Sequence, residues 1–95
     1  MTPYQREGFL EAFDEWVDLE GPSTDLRIAV LAWIQTRSEI PYEGVRRQAE
    51  LDHLWFGAVP GTLHGFGQVV VCSYWIFEAE HRIRCDRFAT LSTPI

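Results

Sequence analysis

The chain has 95 residues, a net charge of −6, a hydrophobic fraction of 46%, and 4 Trp, 6 Phe and 3 Tyr. That length and apolar content suit one domain over residues 1–95 with a packed core, and they exclude general disorder. The acidic balance argues against broad nucleic-acid binding, which needs clustered positive charge. No apolar run approaches the roughly 20 residues needed to span a bilayer.

The opening "MTPYQREGFLEAFDEW" carries acids where a secretory signal needs a basic start and an apolar run, so a cytoplasmic location without membrane contact is expected. Phe9, Leu10, Phe13, Trp16 and Val17 recur at three- and four-residue spacing and predict an amphipathic helix over 5–20. Its other face carries Glu7, Glu11, Asp14, Glu15 and Asp18. With Glu20 and Asp25, these acids face Arg6 alone in the first 25 residues; the remainder is balanced and has no Lys. Gly21 and Pro22 end this helix. Ser23 or Thr24 then caps a second one running to about residue 38. Leu26, Ala29, Val30, Trp33 and Ile34 form its stripe, widened by Ile28 and Leu31, which predicts the more buried helix of the two. The short break predicts an antiparallel helical hairpin over 5–38.

"PYEGVRRQAELDHL" reads as a loop or as a short helical turn from Val45 to Leu51. A strand over "LWFGAVPGT", closed by Pro60–Gly61, begins an antiparallel meander over 54–91. "QVVVCSYWIF" and "RIRCDRFATL" supply its two longest strands. Helices followed by strands predict an α+β fold: a helical hairpin on one face of a three- to four-stranded antiparallel sheet.

Two registers place both cysteines of this last hairpin on one face. A two-residue loop at Glu78–Ala79 sets Cys72 opposite Cys85; a four-residue loop at Glu78–His81 sets Cys85 opposite Tyr74, with Cys72 diagonal. In both, Val70, Cys72, Tyr74 and Ile76 share the helix-covered face with Ile83 and Cys85. Val71, Ser73, Trp75 and Phe77 then lie beside Arg82, Arg84 and Asp86 on the open face. Rings beside guanidinium groups suit phosphate, RNA bases or a protein partner. The cysteines read as two buried thiols, a common state for free Cys.

His53, His64 and His81 have no metal-ligand spacing and Ser73 sits in no nucleophile elbow, so neither a metal nor a cofactor is expected. "HGFG" at His64–Gly67 lacks the strand and helix that frame a phosphate loop.

Two helices, then "LDHLWFGAVPGT" and "GQVVVCSYWIFEAEHRIRCDRFATL", resemble the RelE/ParE-like superfamily of type II toxins. Leu54–Trp55 stands where such proteins open their first core strand. Val69–Ile76 and Arg82–Phe88 stand in the places of the following two strands. The resemblance implies a toxin of a toxin–antitoxin module, acting on translation by cutting messenger RNA at the ribosome or on replication through gyrase, with a cognate antitoxin as partner. On that basis Arg82 and Arg84 would stabilise phosphate and His81 or Tyr74 would assist proton transfer, with Trp75, Phe77 and Arg87 on the binding surface. Two departures weigh against RNA cleavage: the chain is acidic, and "FATLSTPI" stands where a basic cluster is usual. The alternative is a non-enzymatic phage or bacterial inhibitor that docks a protein through Glu11, Glu15 and Asp18 or through the aromatic sheet face. Homodimerisation through a sheet edge or that face is a third expectation.

Overall fold

The computed structural model describes residues 2–93. Seven elements follow in order: β1 (Gln5–Glu7), α1 (Phe9–Glu20), α2 (Thr24–Thr36), β2 (Arg46–Arg47), β3 (Leu54–Ala58), β4 (Gln68–Phe77) and β5 (Arg82–Ser92). The strands form one sheet in the order β1-β5-β4-β3-β2. All neighbours are antiparallel except β1 and β5. The fold is therefore α+β, with five strands and a mixed sheet in place of the three or four antiparallel strands expected.

The difference starts at Gly8. Its φ of 73° turns the chain sharply between two conformations that a run of side chains would have joined. Gln5–Glu7 extends alongside Arg82–Arg84, and the first helix begins only at Phe9. Among the described residues 45–51 no helical turn forms, because Arg46 and Arg47 pair with Phe56 and Trp55. Gly57 makes room for this path: a side-chain carbon there would meet the Gly44 carbonyl oxygen at 2.5 Å.

Both helices contribute to one core with Val70, Cys72, Tyr74, Ile76, Ile83 and Phe88 of the sheet. α1 buries Phe9 and Trp16, and α2 buries Val30, Trp33 and Ile34. Ser23 caps α2 by accepting the Leu26 amide at 3.3 Å. The widened stripe does not form: Ile28 and Leu31 are exposed, as is Leu10 of α1. The stripe a helix turns toward the core is typically filled by three or four positions per two turns, and Val30, Trp33 and Ile34 already fill it.

The last hairpin adopts the four-residue connection. Glu78–Glu80 forms a single 3₁₀ turn, and His81 takes a left-handed conformation with φ 53°. Phe77 pairs with Arg82, and Tyr74 with Cys85. The register then slips. Cys72 pairs with Phe88 and Ser73 with Arg87, leaving Asp86 as the extra residue of a β-bulge. The bulge decides which side chain enters the core. In a regular ladder Arg87 would follow Cys85 inward, whereas here Phe88 does so and is 5% exposed. Burying a Phe side chain contributes about 1.5–3 kcal/mol, and burying an unpaired guanidinium would oppose folding by more.

Candidate binding face of the sheet

None of Phe56, Trp75, Phe77, Arg82 or Arg84 belongs to the core cluster. They lie on the sheet face away from the helices, as the inward set Val70, Cys72, Tyr74 and Ile76 requires by strand alternation. Trp75 stands opposite Arg84, Phe77 opposite Arg82, and Phe56 opposite Arg46. The Arg82 and Arg84 guanidinium carbons sit 4.2 and 5.5 Å from the Phe77 ring centre, and that of Arg46 sits 4.8 Å from Phe56. The cross-strand pairs set these contacts, so cations and rings alternate across the face. Val71, at the far end, is buried, which confines the open part to the Ser73–Phe77 end.

The arginines are not equivalent. Arg82 bonds Glu7 at 2.9 Å and Glu80 at 3.0 Å. These carboxylates, Glu80 first, push its already high pKa up further. Arg82 therefore ties β1 to the hairpin. Arg84 is exposed over Phe77 and makes no ion pair among the described residues. The Arg87 side chain is 75% exposed, and its nearest carboxylate, Asp86, is 4.0 Å away. Asp86 itself accepts the Ser73 hydroxyl at 2.8 Å. Arg84 and Arg87 are thus the guanidinium groups of this hairpin that are open to a ligand.

Tyr74 and His81 do not join them. Tyr74 is fully buried on the opposite face, donating to the Pro41 carbonyl and accepting from Arg37 Nη1 at 3.0 Å. Burial pushes its hydroxyl up to about 12. His81 stacks on Tyr4 with ring centres 3.9 Å apart, and its Nε2 meets the Thr2 carbonyl. The four residues expected to act on RNA are therefore split between the core, a structural ion pair, a stacked turn and the open face. Glu11, Glu15 and Asp18 are exposed on α1 and form no ion pair among the described residues.

Two clusters escape the sequence reading. Arg37 is only 3% exposed, with its guanidinium carbon 4.4 Å above the Trp33 ring and hydrogen bonds to the Glu43 carbonyl and the Thr36 hydroxyl as well as Tyr74. No carboxylate pairs with it among the described residues. Its position in the middle of the polar run Gln35–Glu39 gives no sign of burial; the one signal is that it follows Trp33 by four residues. At the hairpin turn, Glu78 accepts hydroxyls from Tyr4 at 2.7 Å and from Tyr42 at 2.6 Å. These bonds, Tyr42's first, hold its carboxyl below the ordinary range. Tyr42, pushed well up by burial and then by Glu78, also packs edge-on to Trp55. These contacts span residues too far apart for periodicity to reveal.

The Cys72 and Cys85 sulfurs lie 3.7 Å apart as free thiols, the first buried and the second half-buried. No group of three or more His, Cys, Asp or Glu side chains among the described residues could hold a metal ion. No helix among the described residues is long and apolar enough to cross a membrane. No family model, curated protein or solved structure matches this chain.

Proposed function

We propose that this chain is a toxin-like component of a toxin–antitoxin module, acting on the translation or replication machinery, and that it meets its target through the open sheet face. The observation that carries this is the alternation of Trp75 and Phe77 with Arg84 and Arg87 on a face left out of the core. Flat rings stack on bases and guanidinium groups bind phosphate, so the face fits a single-stranded segment of RNA. The dispersal of His81, Tyr74 and Arg82 favours blocking the target over cleaving it. Tightly controlled induction in a bacterial host tests this with an Arg84→Ala/Arg87→Ala variant. Arg82 is spared because it anchors β1. Growth arrest by the parent and normal growth with the folded variant are expected. Arrest by the folded variant removes the face from the function.

The uncompensated row Glu11, Glu15 and Asp18 favours a second reading, a non-enzymatic inhibitor that docks a basic protein through α1. Reversing all three to Arg would then abolish capture of that protein, while the Arg84/Arg87 variant would retain it.

A further inference from the structure

β4 runs along one edge of β5, but β1 covers the other edge only at Arg82–Arg84. Beyond the Asp86 bulge, no strand among the described residues lies beside it. The Thr90 amide points out of the sheet on that edge, to Glu20 Oε2 at 3.2 Å. Strand alternation puts the amide and carbonyl groups of Phe88 and Ser92 on the same edge. α1 runs alongside and leaves a groove of about 280 Å³, lined by Glu15, Trp16, Leu19, Glu20, Phe88 and Ala89 among others. Trp16 is 1% exposed, and its Nε1 is the buried side-chain donor that finds no acceptor among the described residues. Free edges are ordinarily blunted by charged side chains, Pro or a bulge; past the Asp86 bulge and Arg87, the segment Phe88–Ser92 carries no charged residue and no Pro.

We propose that this edge and groove form a strand-addition site for an extended, basic segment of a partner protein. The backbone of the added strand pairs with Phe88, Thr90 and Ser92, as extended peptides pair with open sheet edges elsewhere. Glu20 holds the place of that strand, accepting the Thr90 amide as a peptide carbonyl would. Charge selects the occupant. Glu15 and Glu20 on the helical wall and Asp86 at the bulge line the groove against one cation, Arg87, and Leu19 beside the helical acids is 77% exposed. Arg or Lys stems cover Leu19 while their cationic ends reach the two carboxylates. A second copy of this chain is disfavoured, because each copy carries a net charge of −6 and would set acids against acids.

The probe is a short capped peptide of alternating Arg and Val. Its controls are the same peptide with Glu for Arg, and one N-methylated at alternate residues. Calorimetry and amide hydrogen exchange on the intact chain supply the readouts. The basic peptide is expected to bind at least about tenfold more tightly than the acidic one. Phe88 and Ser92 amides gain protection, N-methylation of the pairing amides abolishes binding, and Glu15→Gln/Glu20→Gln weakens it with the fold intact. Equal binding of the N-methylated peptide overturns strand addition, as does no binding of the basic peptide. A dimer in sedimentation with Phe88 and Ser92 already protected overturns the choice of partner in favour of a second copy.

Discussion

Removing one residue from the middle of a strand ordinarily turns every later side chain to the wrong face. Deleting Asp86 should not. Asp86 is the unmatched residue between Cys85, opposite Tyr74, and Arg87, opposite Ser73. Without it the ladder becomes regular, Arg87 stays opposite Ser73, and Phe88 stays opposite Cys72 in the core. What is lost is the exposed Ser73–Asp86 hydrogen bond, 2.8 Å long, a contribution of about 0.5–1.5 kcal/mol. Deleting Cys85 gives a chain of the same length and the same later register, but it carries Asp86 inward to the half-buried place of Cys85, opposite Tyr74. A carboxyl group there loses part of its hydration beside an apolar core and costs about 1–3 kcal/mol more than the thiol. The Cys85 deletion should therefore be the less stable of the two by at least about 1 kcal/mol in urea unfolding followed by circular dichroism. Equal destabilisation would refute the assignment of Asp86 as the bulge residue and of the bulge as the device that selects Phe88 over Arg87.

Arg37→Ala should cost about 2–5 kcal/mol, as truncating a long buried side chain does, whereas Arg37→Met keeps the packing on Trp33, loses only the hydrogen bonds to Glu43, Thr36 and Tyr74, and should cost about 1–2 kcal/mol; equal losses in urea melts would count against this. Glu78's lowered pKa stabilises the fold above its unfolded value of about 4.5, and that contribution disappears as pH falls through the lower folded value. A Tyr4→Phe/Tyr42→Phe variant should therefore converge with the parent in acid, and parallel unfolding midpoints across the acid range would contradict the assignment. Tyr74 works in the opposite direction: its stabilisation is complete below pH 10 and is lost as pH rises towards 12, so its phenolate absorbance should appear only with unfolding. Cys85 should alkylate in the folded protein while Cys72, buried and with its thiol pushed up by desolvation, should react only in denaturant, as peptide mass analysis would reveal.

The parts of the fold legible in the sequence are those governed by short-range periodicity. The apolar spacing from Phe9 to Val17, the Ser23 cap, and the alternation in Val70–Ile76 each act within one element, and each has its counterpart in the structure. β1 was hidden because three polar residues before a helix carry no alternating pattern; its place depends on a parallel neighbour 77 positions away, Arg82 against Gln5. The bulge was hidden because both the regular and the bulged ladder satisfy the pattern as far as Cys85. Only the choice between Arg87 and Phe88 separates them, and that depends on Trp16 and Trp33 packing against Phe88 from two different helices. For the candidate face, the ring–guanidinium alternation was legible, since it follows from strand parity. The unequal roles of Arg82 and Arg84 were not, because Glu7 reaches Arg82 only once β1 exists.

Net charge is a poor guide to what this surface attracts, because the fold separates the signs. Glu11, Glu15 and Asp18 sit on α1, on the helical side of the sheet, while Arg84 and Arg87 sit on the side away from the core. Exposed charges further apart than a Debye length, about 8 Å at physiological salt, are largely screened from one another. Glu15 shares a groove with Arg87 and meets a ligand there directly, whereas Glu11 and Asp18 lie outside that groove and act on an anion at the open face more during its approach than in its final contact. That separation makes two different salt effects follow from one molecule. For the RNA ligand proposed above, raising salt would weaken the phosphate contact at Arg84 and Arg87 and also the repulsion that α1 exerts during encounter. On the proposed RNA-binding reading, Glu11→Gln/Asp18→Asn should consequently speed association with a single-stranded RNA and leave its dissociation rate unchanged, whereas Arg84→Ala/Arg87→Ala should act chiefly on dissociation. Rapid-mixing kinetics distinguish the two, and an effect of the helical acids on dissociation would mean that α1 and the open face touch the same ligand.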